Sequence, residues 1–215
     1  MAQPVRMLTP PERRRQNREA MLDAIREVSI EIMREQGVAG LSLHEVARRV
    51  SLRVQSLYKY FPSKAALYDA LFRQAARLLA ENDRQVWEGT APTWERVDTW
   101  LRSRLDFAQR HAPLYDLLTG AAVPGFSPSP ESLAAAREIG EMGTRAIGDL
   151  VQAGIITSGI PPRRAMNVLL VTGRGIVAET LGKERMLDDP DRFADLIPDV
   201  LDALRVAWSH ERSDS

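Results

Sequence analysis

Met21, Ile25, Val28 and Ile32 recur at steps of four, three and four residues, and Gly37 closes the run. Apolar side chains at that spacing share one face of an α-helix, and that face has to be covered by another element. The same period returns along almost the whole chain, and no segment sustains the two-residue alternation of a half-buried strand. The fold class that follows is all-α, with about nine helices. No internal repeat is evident, which argues against a solenoid.

Punctuation residues divide the helices. The first is predicted over residues 12–36. Ser42 stands three residues before Glu45, the spacing of a capping box, and opens a short second helix with Val46, Ala47 and Val50 inward. Val54, Leu57 and Phe61 form a third stripe before Pro62 and Ser63 interrupt, and a long helix is predicted over 64–86. Further helices are expected over 92–110, 113–119, 131–156, 163–181 and 191–208. A Pro-, Gly- and Ser-rich loop occupies 120–130, and Gly159 to Pro162 make a second break. Asp188-Asp-Pro190 reads as a helix start, Phe193, Ile197, Val200 and Leu204 continue the last stripe, and Pro198 is expected to kink it.

Composition removes several function classes. At 215 residues, 44% apolar and 27% charged, the chain has the make-up of a soluble globular protein. It contains no cysteine, so a disulfide framework, a thiol nucleophile and a cysteine zinc site are excluded. No apolar run approaches the roughly 18 residues of a membrane span, and the first residues lack a signal-peptide core, so a cytoplasmic location is expected. His44, His111 and His210 are scattered and no paired-carboxylate pattern stands out, so neither a metal, a cofactor nor an enzyme active site is implied. The net charge of zero conceals a division: residues 1–64 carry 12 Lys and Arg against 7 Asp and Glu, and residues 65–215 the remaining 17 against 22. A basic module of +5 followed by an acidic remainder of −5 is the pattern of a nucleic-acid binder with a second function.

The most informative stretch is VSLRVQSLYKYFPSK, residues 50–64. At about 100° per residue, Val54, Leu57 and Phe61 fall on one side and Gln55, Ser56 and Lys59 on the other, with Arg53 and Tyr60 flanking. Taken alone, this is equally a small core helix with solvated cations. Helix two, a four-residue link and this helix together form a helix-turn-helix, in which the second helix enters the major groove while nearby cations and hydroxyls hold the backbone.

Leu41-Ser-Leu-His-Glu-Val-Ala47, Ser56-Leu-Tyr-Lys-Tyr-Phe61 and Pro62-Ser-Lys-Ala-Ala-Leu67 resemble the N-terminal domain of TetR/AcrR-family transcriptional regulators, over residues 13 to about 75. The resemblance implies a DNA-binding domain over 1–64 and an effector-binding and dimerisation domain over 65–215. It further implies a homodimer on a palindromic double-stranded operator, most often a repressor, released by a small-molecule effector. Ser42, Tyr58, Tyr60 and Lys64 match backbone-contacting positions, Arg53, Val54, Gln55, Ser56 and Lys59 match the reading face, and His44 lies within reach of a phosphate. Two positions depart from the pattern: Ser51 stands where the family usually has Gly in the turn, and Arg53 where it usually has Ser or Thr as the helix cap. These departures leave open a regulator-like helical interaction module without DNA binding.

Residues 113–130 look like a C-terminal subgroup common among actinobacterial TetR regulators. The resemblance places the effector cavity among helices five to eight, making Trp100, Arg104, Phe107, His111, Tyr115, Met142 and Arg145 candidate lining residues; each also reads as an ordinary core or surface position. The last two helices, with small Gly173, Gly175 and Ala178, suit a homodimer interface. Within them, Val168 to Ala178 superficially imitates a strand followed by a dinucleotide-binding G-x-G-x-x-A turn, the mark of an oxidoreductase, but helical stripes on both sides deny it the βαβ setting that fingerprint needs.

Overall fold

The computed structural model describes residues 9–89, 91–120, 123–182 and 194–209. Among them the chain forms α1 (Pro10–Gln36), a 3-10 turn (Val38–Gly40), α2 (Leu43–Arg49), α3 (Val54–Leu57) and α4 (Lys64–Trp87). There follow α5 (Trp94–Arg110), α6 (Ala112–Thr119), α7 (Pro130–Gln152), α8 (Pro162–Leu181), a second 3-10 turn (Ala194–Leu196) and α9 (Ile197–Ser209). The all-α architecture is the predicted one, with no strand among the described residues.

The differences from expectation are at the ends. The third helix is one turn long: Tyr58 to Tyr60 continue as a turn, and Pro62, which disfavours helical backbone at the residue before it, stops the run. Ser63 then caps α4, its hydroxyl accepting the Ala66 amide at 3.0 Å. α7 ends at Gln152, four residues earlier than the stripe suggested, because Gly154 takes φ 70° and the Ile155 amide turns back to the Leu150 carbonyl at 2.9 Å. Pro198 does not kink α9. It sits in the first turn, where its missing amide hydrogen costs nothing. The helix start expected at Asp188–Pro190 and the stripe position Phe193 lie outside the described residues.

α4 is the spine. Its first half contributes Leu67, Tyr68, Leu71 and Phe72 to a core shared with Ile25 and Ile32 of α1, Val46 of α2, Leu57 and Phe61. The Tyr68 hydroxyl donates to the Val38 carbonyl at 2.6 Å, and burial pushes its pKa up to about 12. α6 also enters this core through Leu114 and Leu117, so the N-terminal bundle rests on a helix from the far side of the loop 88–93 and α5. The second half of α4 supplies Trp87 to a separate core with Val97, Trp100, Ile147, Leu169 and Trp208. Between them, Ala76, Leu79, Phe107, Tyr115, Ile139 and Val177 form a third cluster. A rotation of α4 is therefore felt in all three.

Candidate nucleic-acid interface

α2 and α3 are held at their angle by Leu43, Val46 and Ala47 on one helix and Leu57 on the other, all buried. The link between them closes through backbone bonds: the Leu52 amide to the Ala47 carbonyl at 2.8 Å and the Ser51 amide to the Arg48 carbonyl at 3.2 Å. Ser51 adopts φ 55°, the left-handed region that glycine occupies freely and an L-residue enters at a cost. The turn is thus kept despite the residue. Ser51→Gly is expected to raise stability by about 0.5–1 kcal/mol in a denaturant titration, strain relief outweighing the extra freedom of glycine in the unfolded chain.

A single cation staples α2 to α1. Arg49 reaches both oxygens of Glu35, at 2.9 and 2.6 Å, and Oε1 of Glu45 at 2.7 Å, while Arg48 donates to both oxygens of Glu45 at 2.7 and 2.8 Å. Glu45 is therefore an ion-pair partner and not the far arm of a capping box; the Ser42 side chain makes no cap bond. Hydrogen bonds from Arg48 and then Arg49 hold the Glu45 carboxyl down at about 2, and the Arg49 bonds hold Glu35 below its usual range. With the folded values depressed, the stability these pairs contribute is present above about pH 4.5 and is lost as pH falls towards 2. The melting-temperature gap between the wild type and Glu45→Gln is expected to close across that interval.

Around this frame lie the candidate reading and clamping residues. Arg53, Gln55, Tyr58 and Lys59 are exposed, Tyr58 at 47% despite its large ring, and His44 is exposed at the start of α2. Ser42, Ser56, Tyr60 and Lys64 are partly covered. The Tyr60 ring lies under the Arg18 guanidinium, 5.1 Å from its centroid, and Lys64 Nζ donates to the Ala39 carbonyl at 3.2 Å. Val54 points the other way and packs on the N-terminal core. Arg53 occupies the cap position of α3 without a side-chain cap bond, its guanidinium left outside.

A sequence pattern described as bacterial regulatory proteins, tetR family, matches residues 25–71, the segment that builds this surface. Over residues 25–71 the chain therefore carries the DNA-binding domain of TetR-family regulators. Among curated relatives, the HTH-type transcriptional regulator Rv1816 of Mycobacterium tuberculosis is 30% identical over 153 residues, 69% of this chain and 63% of that protein. The nucleoid occlusion factor SlmA of Aliivibrio fischeri is 27% identical over 117 residues, 54% of this chain and 57% of that protein. The match thus spans somewhat less than two thirds of either relative. A solved protein of unknown function from Rhodococcus sp. RHA1 superimposes with a TM-score of 0.74 at 21% identity, covering 88% of this chain and 96% of that one, which extends the likeness in fold to the C-terminal helices.

In the C-terminal part of the chain, the seven candidate lining residues do not form one wall. Trp100, Arg104, Phe107 and Tyr115 are buried. Arg104 lies over the Trp100 ring, 4.7 Å from its centroid, and forms a two-point pair with the fully buried Asp83, its Nε to Oδ1 distance 3.3 Å. His111 stacks on Phe107 at 4.8 Å, and burial, with the neighbouring Arg110, pushes its pKa down. Met142 belongs to the core around Trp87 and Trp100. Arg145 is exposed on α7 and lines a different groove, with Arg137 and Arg163. The lone spacing of α7 could have pointed to that grouping, since Arg137, Glu141 and Arg145 recur every four residues. Trp87 escaped sequence reasoning: among the described residues its buried indole N–H, like that of Trp100, has no acceptor. The glycine-rich segment imitating a dinucleotide turn lies inside α8, where a Cβ on Gly173 would come within 3.1 Å of Leu101, and among the described residues there is no strand for a fingerprint loop to follow. No described helix is long and apolar enough to cross a membrane.

Proposed function

We propose that the protein is a homodimeric, cytoplasmic, DNA-binding transcriptional regulator that represses from a palindromic operator and is released by a small-molecule effector. The observation that carries this reading is the exposed face of α3, with Arg53, Gln55, Tyr58 and Lys59 outward on a turn whose backbone bonds are intact. On that surface Arg53, Gln55, Ser56 and Lys59 are the base readers, and Ser42, His44, Tyr58, Tyr60 and Lys64 hold the phosphates. The roles divide near Lys64, with α4 common to both halves.

Dimerisation through α8 and α9 is supported by what those helices leave uncovered. Val171 is 73% exposed beside Gly175 and Ala178, and Val206 is 65% exposed. Arg164 and Arg174 on α8, without an ion pair among the described residues, would complement Asp195 of the second 3-10 turn and Asp199 of α9 in a two-fold arrangement. The effector reading draws on the interior of the C-terminal part, where the orphaned indole donors of Trp87 and Trp100 would be satisfied by ligand oxygens. Its route to the DNA runs through α7 and α4. The Asp69 carboxylate accepts from the Ser129 amide at 2.7 Å and hydroxyl at 3.0 Å, and Arg73 joins Asp69 to Glu131, each at 3.0 Å. A shift of α7 would pull α4 near Lys64 and change the separation of the two recognition helices.

A mobility shift with the DNA upstream of the protein's own gene tests the reading. Retardation that weakens steeply with salt is expected. Absence of retardation at every low-salt condition would favour an interaction module without DNA binding.

A further inference from the structure

α7 and α8 enclose a groove of about 430 Å³, within the range of small-ligand sites. Its chemistry is divided. Met166 and Leu170 of α8 give an apolar wall, and the floor is open at Gly140, where an added Cβ would meet nothing within 4 Å. Arg137, Arg145 and Arg163 line the same groove, and among the described residues none of them is paired with a carboxylate. Glu141 is the lone acid in the lining, so the groove keeps a net positive charge. On α8, Arg163, Met166, Asn167 and Leu170 follow the three-and-four spacing of one helix side, flanking the outward face that carries Val171. The groove therefore lies beside the proposed dimer face, and is separate from the buried Trp87 and Trp100 donors.

Three unpaired guanidinium groups around one concavity raise the local potential, and each offers the planar fork of donors that fits a phosphate or carboxylate. We propose that this groove binds an amphipathic organic anion, its oxyanion head held by Arg137, Arg145 and Arg163 and its short apolar tail laid across Gly140 against Met166 and Leu170. The site goes beyond the interior effector reading and does not require DNA binding.

Octyl phosphate below its micellar concentration is the probe, titrated calorimetrically into the full chain, with octanol and inorganic phosphate as controls. One saturable site per chain is expected, with both controls at least about tenfold weaker. Arg145→Gln with Arg163→Gln is expected to weaken octyl phosphate at least about tenfold without changing the thermal melt, since both side chains are exposed. Gly140→Leu fills the floor while leaving every charge in place, and should cause a comparable loss. The proposal is overturned if the wild type gives no saturable heat, as it would with the groove shut by a second copy of the chain. It is equally overturned if inorganic phosphate binds as well as the probe, or if Gly140→Leu leaves binding unchanged.

Discussion

Arg104→Met is expected to destabilise the protein by about 3–5 kcal/mol, while Asp83→Leu combined with Arg104→Met recovers most of that loss. Asp83 is fully buried and Arg104 nearly so, and the guanidinium contacts both carboxylate oxygens while covering the Trp100 ring. Removing the cation alone strands a fully buried carboxylate, and the desolvation cost is then uncompensated. Removing both replaces a pair that roughly balanced its own desolvation with apolar volume. Urea titration of the two single variants and the double variant reads the coupling directly. If Arg104→Met costs under about 1 kcal/mol, the pair is solvated in solution and the buried arrangement is wrong. The same geometry bears on the effector: an arginine already held by Asp83 is a structural strut, so an anionic ligand would have to displace a carboxylate to use it.

Gln55→Ala is expected to cost about 1–3 kcal/mol at the preferred operator and to change which sequence is preferred, because a side-chain amide can donate and accept at one base edge. Lys64→Ala should weaken all sequences about equally and lower the salt slope by about one. The contrast follows from position. Gln55 is exposed on α3, while Lys64 starts α4 and donates to the Ala39 carbonyl at 3.2 Å, in the role of a phosphate clamp proposed above. Binding titrations at several salt concentrations on matched and mismatched duplexes separate the two. Equal weakening at every sequence by Gln55→Ala would remove it from the reading face.

The periodicity of Met21, Ile25 and Ile32, and the stop at Gly37, were enough to read the helical class and most helix bodies, because burial of one face dominates where long helices form. Ends were less legible. Whether Pro198 kinks or begins a helix depends on where the chain enters α9, which the stripe alone does not record. Glu45 had two competing partners, and the Arg48 and Arg49 guanidiniums outbid the cap position, a choice set by tertiary placement of Glu35. The residues proposed to read and clamp DNA are local in sequence, so they could be named together. The C-terminal candidates are spread from α5 to α7, and residue type does not tell which side of a helix meets which neighbour. Arg104 and Arg145 looked equivalent as polar candidates, yet one is buried against Asp83 and the other faces a groove with Arg137 and Arg163.

The most direct test of the central claim is selection of bound duplexes from a random pool by the wild type and by Gln55→Ala. The wild type is predicted to enrich a two-fold symmetric sequence with half-site centres about one DNA turn, roughly 34 Å, apart, and Gln55→Ala to enrich a different half-site with the same spacing. Recovery of no symmetric sequence by the wild type, or of the same half-site by both proteins, would contradict it.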